Sequence, residues 1–300
     1  MGNLTQRLIT GTIFVCVLVG AIWFSVWTMA GLFLLIVILG LWEFYKLAEK
    51  AGAHPQKVYG LFLGIILFIG TFIAKAYFVY LNYLIFLIPL LILPFFFLPF
   101  FIELFRKKEK PFSNIGWTLL GVIYVAAPFT MLMGTFTPQV FFSDDSIPYS
   151  AITKYDYRPL LTFFVLIWTS DSMAYVCGRL FGKHKLFERI SPKKTWEGFI
   201  GGFIFTLFAG GMIANWILYN PHYYSQEIKW IIISAIISVT GVLGDLTESL
   251  FKRSIDMKDS GTILPGHGGI LDRFDAMLLA TPFALSAYWI CNIFFPGHYC

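Results

Sequence analysis

The chain has 300 residues, 58% of them hydrophobic and 19% aromatic, and only 13% charged. Soluble domains average roughly 45–50% apolar and about 25% charged residues, so a soluble globular enzyme, a disordered chain and a disulfide-stapled secreted module are all excluded. The net charge of +5 would suggest nucleic acid for a soluble protein, but in a chain this apolar the position of the charges matters more than their sum.

A hydrocarbon core of about 30 Å takes about 20 apolar residues per helix. By that measure the sequence predicts nine spans, over 8–27, 29–46, 59–76, 81–104, 115–135, 159–178, 198–218, 229–248 and 277–296. The first follows Arg7 as a signal peptide would, but it is long and no small-residue cleavage site follows it, so an uncleaved anchor is expected. The fourth carries Pro89, Pro94 and Pro99, which predicts a kinked or irregular helix. Residues 136–158, with Asp144, Asp145 and Asp156, read as a solvated connection. Cys16, Cys177, Cys291 and Cys300 form no CxxC pair, so neither a zinc nor a disulfide framework is expected.

The basic residues test this count. With the N-terminus inside, Arg7, Lys46, Lys50, Lys57, Arg106, Lys107, Lys108, Lys110, Arg179, Lys183, Lys185, Arg189, Lys193, Lys194, Lys252, Arg253, Lys258 and Arg273 all fall inside. Only Lys75, Lys154, Arg158 and Lys229 of the 22 fall outside. The expected fold is therefore an all-α polytopic membrane protein of about nine transmembrane helices, N-terminus cytoplasmic and C-terminus outside. Residues 1–110 hold few acids, among them Glu43, Glu49 and Glu103, and read as scaffold or oligomer contact. Residues 111–300 hold nearly all the polar groups at membrane depth and read as a catalytic region facing the cytoplasm.

Ionisable groups in spans are costly and mark candidate sites. Asp171 interrupts an apolar run near the cytoplasmic end of the sixth span, either as a functional group or as half of an interhelical hydrogen bond. In GDLTESLFKR, Asp245, Glu248, Ser249 and Lys252 share one helical face. They could form an ion-pair ladder or, beside a water-lined cavity, bind a metal and an anion. The next loop, KDSGTILPGHGGILDRFD over 258–275, argues for the second reading. Its glycines can bring backbone N–H groups close to phosphate oxygens. Asp272 and Asp275 sit three apart at the start of the last span, and with Asp245 they offer three hard oxygen donors suited to Mg²⁺ or Mn²⁺. Helix capping by both aspartates would leave the HGG loop and the basic set Lys252, Arg253, Lys258 and Arg273 unexplained. Between the sixth and seventh spans lies Ser191-Pro192-Lys193-Lys194-Thr195-Trp196-Glu197-Gly198. It could open a helix or meet anionic headgroups, but beside the acidic cluster it reads as the second wall of a phosphate site.

These residues carry a resemblance. The stretch SLFKRSIDMKDSGTILPGHGGILDRFD, 249–275, resembles the signature of the phosphatidate cytidylyltransferase (CDP-diacylglycerol synthase) family. Ser249, Lys252, Arg253, Lys258, Asp259, Gly261, Leu264, Pro265, His267, Gly268, Gly269, Asp272, Arg273 and Asp275 fit its pattern without a gap. The Asp171-Ser172 segment through Gly182 and the Ser-Pro-Lys-Lys-Thr-Trp-Glu-Gly run are similar to the family's as well, whereas the first 110 residues match only in hydropathy. The resemblance implies attack of a phosphatidic acid phosphate on the α-phosphorus of CTP, with loss of pyrophosphate. It implies catalytic roles for Asp245, Lys252, Arg253, Asp272, Arg273 and Asp275. Substrate contacts would come from Asp171, Lys193, Lys194, Thr195, Glu197, Ser249, Lys258, Asp259, His267, Gly268 and Gly269. Mg²⁺, with Mn²⁺ as a substitute and room for a second cation, would sit on Asp245, Asp272 and Asp275. The expected partners are CTP, phosphatidic acid and membrane lipids; a homodimer is compatible with this reading and nucleic acid is not expected. Rival readings are another CTP-dependent lipid enzyme such as a polyprenol kinase, and a cation transporter or channel.

Overall fold

The computed structural model describes residues 3–77, 82–137, 155–216, 224–263, 266 and 268–294. Most of the connection expected over 136–158 lies outside these residues, as do Leu264, Pro265, His267 and Cys300. The chain is an all-α polytopic membrane protein. Seven helical stretches among the described residues are long and apolar enough to cross a membrane: Val26–Lys50, Lys57–Lys75, Pro111–Phe136, Arg158–Phe181, Trp196–Ala214, Glu227–Ser254 and Leu271–Phe294. A shorter apolar stretch runs over Ile9–Phe24.

The helices divide between two compact units. The first comprises Met1–Tyr157 together with Asp259–Arg273; the second comprises Arg158–Lys258 together with Phe274–Cys300.

In the first unit, α1 (Asn3–Phe24) gives way to α2 (Val26–Lys50) at Ser25, whose extended backbone and Oγ, accepting the Trp27 N–H at 3.0 Å, cap the new helix. The break expected at residue 28 thus falls three residues earlier, because hydropathy does not register a cap. Next come α3 (Lys57–Tyr77) and α4 (Asn82–Arg106), which runs as one helix through its three prolines. Pro99 has no N–H for the Phe95 carbonyl, and the Tyr59 hydroxyl donates to that oxygen instead at 2.5 Å. Gln56 Nε2 donates to the Pro99 carbonyl at 2.9 Å. The fifth predicted span is α5 (Pro111–Gly121), a π-helical turn over Val122–Ala126, and α6 (Ala127–Phe136). The wider turn comes directly ahead of Pro128, which cannot continue the i→i−4 ladder.

A buried polar knot ties these helices together. Glu103 on α4 accepts from Asn114 Nδ2 and Gln56 Nε2, each at 2.8 Å, and from Arg106 at 2.7 Å. Asn114 and Thr118 on α5 in turn accept the backbone N–H groups of His54 and Gln56, both at 2.8 Å. The backbone of the loop between α2 and α3 is thereby held by side-chain acceptors on α5.

In the second unit, α7 (Arg158–Phe181) leads into a two-stranded antiparallel hairpin, β1 (Lys185–Phe187) and β2 (Ser191–Thr195). Helices α8 (Trp196–Trp216), α9 (Tyr224–Ser254) and α10 (Leu271–Phe294) follow, the last belonging to this unit from Phe274 onward. Ser191-Pro192 does not open a helix but stands in β2. The cap falls instead to Thr195, whose Oγ1 accepts the Gly198 N–H at 3.2 Å. On α8, a Cβ at Gly198 would strike the Ala174 carbonyl, one at Gly202 the Ser170 carbonyl, and one at Gly210 the Trp230 carbonyl. Bare backbone every fourth residue or so lets α8 approach α7 and α9 closely, which substitutes for a hydrophobic drive that lipid cannot supply. A hydrogen bond of 3.0 Å between Ser170 and Ser238 joins α7 to α9.

Candidate functional site

Within the second unit, predicted residues gather where α7, α9 and α10 present acids and β2 presents a lysine. Gly244 on α9 is decisive for this: a Cβ there would strike the carbonyl oxygen of Asp275, so the absence of a side chain lets α10 lie against α9. That contact brings the carboxylates of Asp245 and Asp275 into one neighbourhood. Asp245, Glu248 and Asp171 all act electrostatically on Asp275, and Asp171 feels both Asp245 and Lys194.

Two lysines answer these acids. Lys194, the fourth residue of β2, places Nζ 2.6 Å from Asp245 Oδ2. Lys252 donates to Glu248 Oε2 at 3.0 Å, one helical turn along α9 and almost fully buried. Ser249 donates to Asp245 Oδ1 at 3.2 Å. The i, i+4 pairs expected from the GDLTESLFK stripe are therefore formed, and the hairpin adds a cation from outside the helix. Like charges this close in a poorly solvated place are costly unless compensated. Four carboxyl groups against two ammonium groups leave acids in excess in this group of six. Hard oxygen donors in excess over lysines suit a divalent cation such as Mg²⁺. As they stand, no three His, Cys, Asp or Glu side chains among the described residues are close enough together to clasp an ion. The cation nearest Asp245 is the Lys194 ammonium.

Other predicted residues have structural partners. Thr195 is buried, and a Cβ on Gly178, Gly182 or Gly198 would press on its side chain. Glu197 accepts the backbone N–H groups of Lys183 and His184, at 3.0 and 3.2 Å, and meets His184 Nδ1 at 2.6 Å, which fixes the entry to the hairpin. Arg253 reaches the Met257 carbonyl at 3.2 Å. Lys193, Arg253 and Lys258 are exposed and so able to meet a charged ligand.

Asp259, Gly268, Gly269, Asp272 and Arg273 belong to the first unit. There Asp272 Oδ2 accepts three hydrogen bonds, from the backbone N–H and Oγ of Ser260, both at 2.9 Å, and from the Gly269 N–H at 2.8 Å. The reach back over three residues is the acidic half of a capping box. Gly268 has φ +83°, and a Cβ on it would strike Asp272 Oδ2, so glycine is required there twice over. The Gly269 N–H is engaged by Asp272, whose visible work is to shape the loop. Asp259 and Arg273 are exposed, and His267 lies outside the described residues.

Glu43 and Ser260 are not among the predicted site residues, and Glu248, although on the predicted stripe, is not among those the resemblance implies. Glu43 carried a signal, an acid flanked by Leu41, Trp42, Phe44 and Tyr45. Ser260 carried none.

The sequence profile of the cytidylyltransferase family matches residues 5–291. The chain is 39% identical over 176 residues to the phosphatidate cytidylyltransferase of Staphylococcus haemolyticus, covering 59% of this chain and 60% of that protein. It is 39% identical over 177 residues to the phosphatidate cytidylyltransferase of Bacillus subtilis, covering 59% of each. Against the phosphatidate cytidylyltransferase of Rickettsia bellii it is 37% identical over 176 residues, 57% of this chain and 68% of the relative. The matched region thus spans about 60% of the length of the first two relatives.

Proposed function

This chain belongs to the cytidylyltransferase family, and on that premise we propose that it transfers the cytidylyl group of CTP to phosphatidic acid, giving CDP-diacylglycerol and pyrophosphate. The observation that carries the reading is the acid–lysine cluster of the second unit, with Lys194 at 2.6 Å from Asp245 beside Asp171 and Asp275. A cluster holding both signs of charge suits substitution at phosphorus, where negative oxygens must be neutralised while cations are kept in place.

In this reading an oxygen of the lipid phosphate attacks the α-phosphorus of CTP, and the bond to the β-phosphate oxygen breaks. A phosphate monoester is largely ionised near neutral pH, so no general base is needed. The protein contributes position and charge. Lys193 and Lys194 from the hairpin, with Lys252 and Arg253 at the end of α9, would neutralise the triphosphate and the lipid phosphate. Asp245 and Asp275, with Asp171 beside them, would hold Mg²⁺, which when bound supplies charge stabilisation at the phosphate oxygens. The glycine loop braced by Asp272 carries the rest of the family signature.

The charge distribution supports nine spans with the N-terminus inside and the reaction on the cytoplasmic face. CTP would then arrive from water and phosphatidic acid from the facing leaflet. The test is purified protein in mixed micelles with phosphatidic acid and CTP labelled at the α-phosphate, with and without Mg²⁺. Label entering lipid with equimolar pyrophosphate is the expected result. Label leaving as CDP would make the protein a kinase, and no turnover by folded protein would return the acids to a transport or structural role.

A further inference from the structure

Glu43 stands on α2, 217 residues before Ser260 and 228 before Leu271, yet it meets both. Its side chain is almost fully buried, with the residue 2% exposed. No ion pair to it is formed among the described residues. Oε2 accepts the Leu271 N–H at 3.0 Å, at the start of α10. The Ser260 hydroxyl lies 3.3 Å from the same oxygen and 2.9 Å from Asp272 Oδ2, so one proton is shared between two carboxylates. Oε1 is buried without a hydrogen-bond partner.

The loop is also shaped around this side chain. The three atoms nearest a Cβ on Gly261 would all belong to Glu43, and a Cβ on Gly269 would strike Ser260 Oγ and both carboxylate oxygens of Glu43. A carboxylate buried without a counter-charge is a poor way to stabilise a helix pair, and an apolar residue of similar size would serve packing better. Its contacts make sense as a means of placing a loop. Glu43 holds the start of α10 and Ser260, Ser260 holds Asp272, and Asp272 holds Gly269.

We propose that Glu43 is a positioning residue for the glycine loop: its carboxylate, seated against Gly261 and Gly269, sets the backbone at Ser260, Gly261 and residues 269–271 and with it the placement of Asp272. The proposal rests on the nucleotidyl-transfer reading, because the loop is part of the family signature. It extends that reading to a residue in the half of the chain otherwise read as scaffold.

The test uses the full-length protein in lipid–detergent micelles, with Glu43→Ala, Glu43→Gln, Gly261→Ala and the double variant Glu43→Ala/Gly261→Ala. The readouts are kcat and KM for CTP, and hydrogen–deuterium exchange over 258–275. Glu43→Ala is expected to lower kcat by about 10²-fold with little change in KM, as small displacements of a reacting constellation do. It should also speed exchange in 258–275 while leaving the other helices protected. Glu43→Gln should fall between, since its amide oxygen can still accept from Leu271. Gly261→Ala should act in the same direction as Glu43→Ala, because its methyl would displace the carboxylate. In the double variant that methyl enters vacated space, so the two effects should be less than additive. Wild-type kcat and loop exchange in Glu43→Ala would overturn the proposal, and so would a fall in kcat without a change in loop exchange, or strict additivity. Should Glu43→Ala not fold, wild-type values for both Glu43→Gln and Gly261→Ala would overturn it, and losses in both would support it. Should the wild type transfer no label, the activity reading fails by itself. Loop exchange then decides the positioning role, faster in Glu43→Ala supporting it and unchanged overturning it.

Discussion

The two units treat buried acids in opposite ways. In the first, Glu103 is answered by two neutral amides and an arginine at its rim, and Glu43 by a backbone N–H and a serine. In the second, Asp275 faces the carboxylates of Asp171, Asp245 and Glu248, and the compensating charges sit on lysines at the ends of flexible chains. An acid surrounded by fixed donors is held in place, and it holds in turn the groups that donate to it. An acid surrounded by other acids is unfinished, and a cation or a charged ligand lowers its energy. The contrast separates carboxylates that shape the fold from carboxylates able to do chemistry, within one membrane protein and without reference to their depth.

Substitutions can break or sharpen this contrast. The largest effect is expected from Asp275→Asn, which should lower kcat by about 10²–10³-fold, the usual loss of a charge-stabilising group. Thermal stability should hold or rise, because a buried repulsion is removed. Label transfer and a melting curve on the same preparation check both halves, and a destabilised Asp275→Asn would place the residue with the shaping acids. Glu103→Ala should do the reverse, lowering unfolding free energy by about 3 kcal/mol, as removal of one member of a buried charged pair does, while kcat per folded molecule is kept. Denaturation in mixed micelles measures it.

A smaller effect is expected at the hairpin. Lys194→Ala should raise KM for CTP by about tenfold, since a hydrogen bond to a charged group is worth roughly 1.5–3 kcal/mol. Initial rates across a CTP series test this, and an unchanged KM would make Lys194 a structural partner of Asp245 alone. The smallest belongs to Tyr59→Phe, which strands the Phe95 carbonyl ahead of Pro99 and should cost about 1 kcal/mol with activity intact. A loss of activity there would show that the first unit reaches the chemistry by more than the Glu43 route.

Much of this was legible in the residues because it is local. A helix buries the side chains its own periodicity brings together, so the stripe of Asp245, Glu248, Ser249 and Lys252 could be read from spacing, and its i, i+4 pairs are formed as that spacing requires. The apolar runs were legible for the same reason: a bilayer imposes a length on each segment independently of its neighbours. Caps and strands were not, because they turn on single side chains and short pairings that hydropathy averages away. Ser25 and Thr195 end runs that look continuous or begin elsewhere in the sequence.

What the sequence by itself determined is an apolar helical chain that spans a membrane, with its chemistry-bearing residues grouped near the ends of particular segments. What only the tertiary structure decided is which of those residues share a neighbourhood. Asp171, Lys194, Asp245 and Asp275 come from four elements and meet only because bare glycines let the helices close, at Gly202 for α7 and α8 and at Gly244 for α9 and α10. Asp272 looked equivalent to Asp275 from three residues away, yet its oxygen is engaged by Ser260 and Gly269. Glu43 reaches its loop across more than two hundred residues of chain. Hydrogen bonds and charge pairs act over a few ångströms whatever the separation in sequence, and no periodicity along one helix records what a second helix will bring to it.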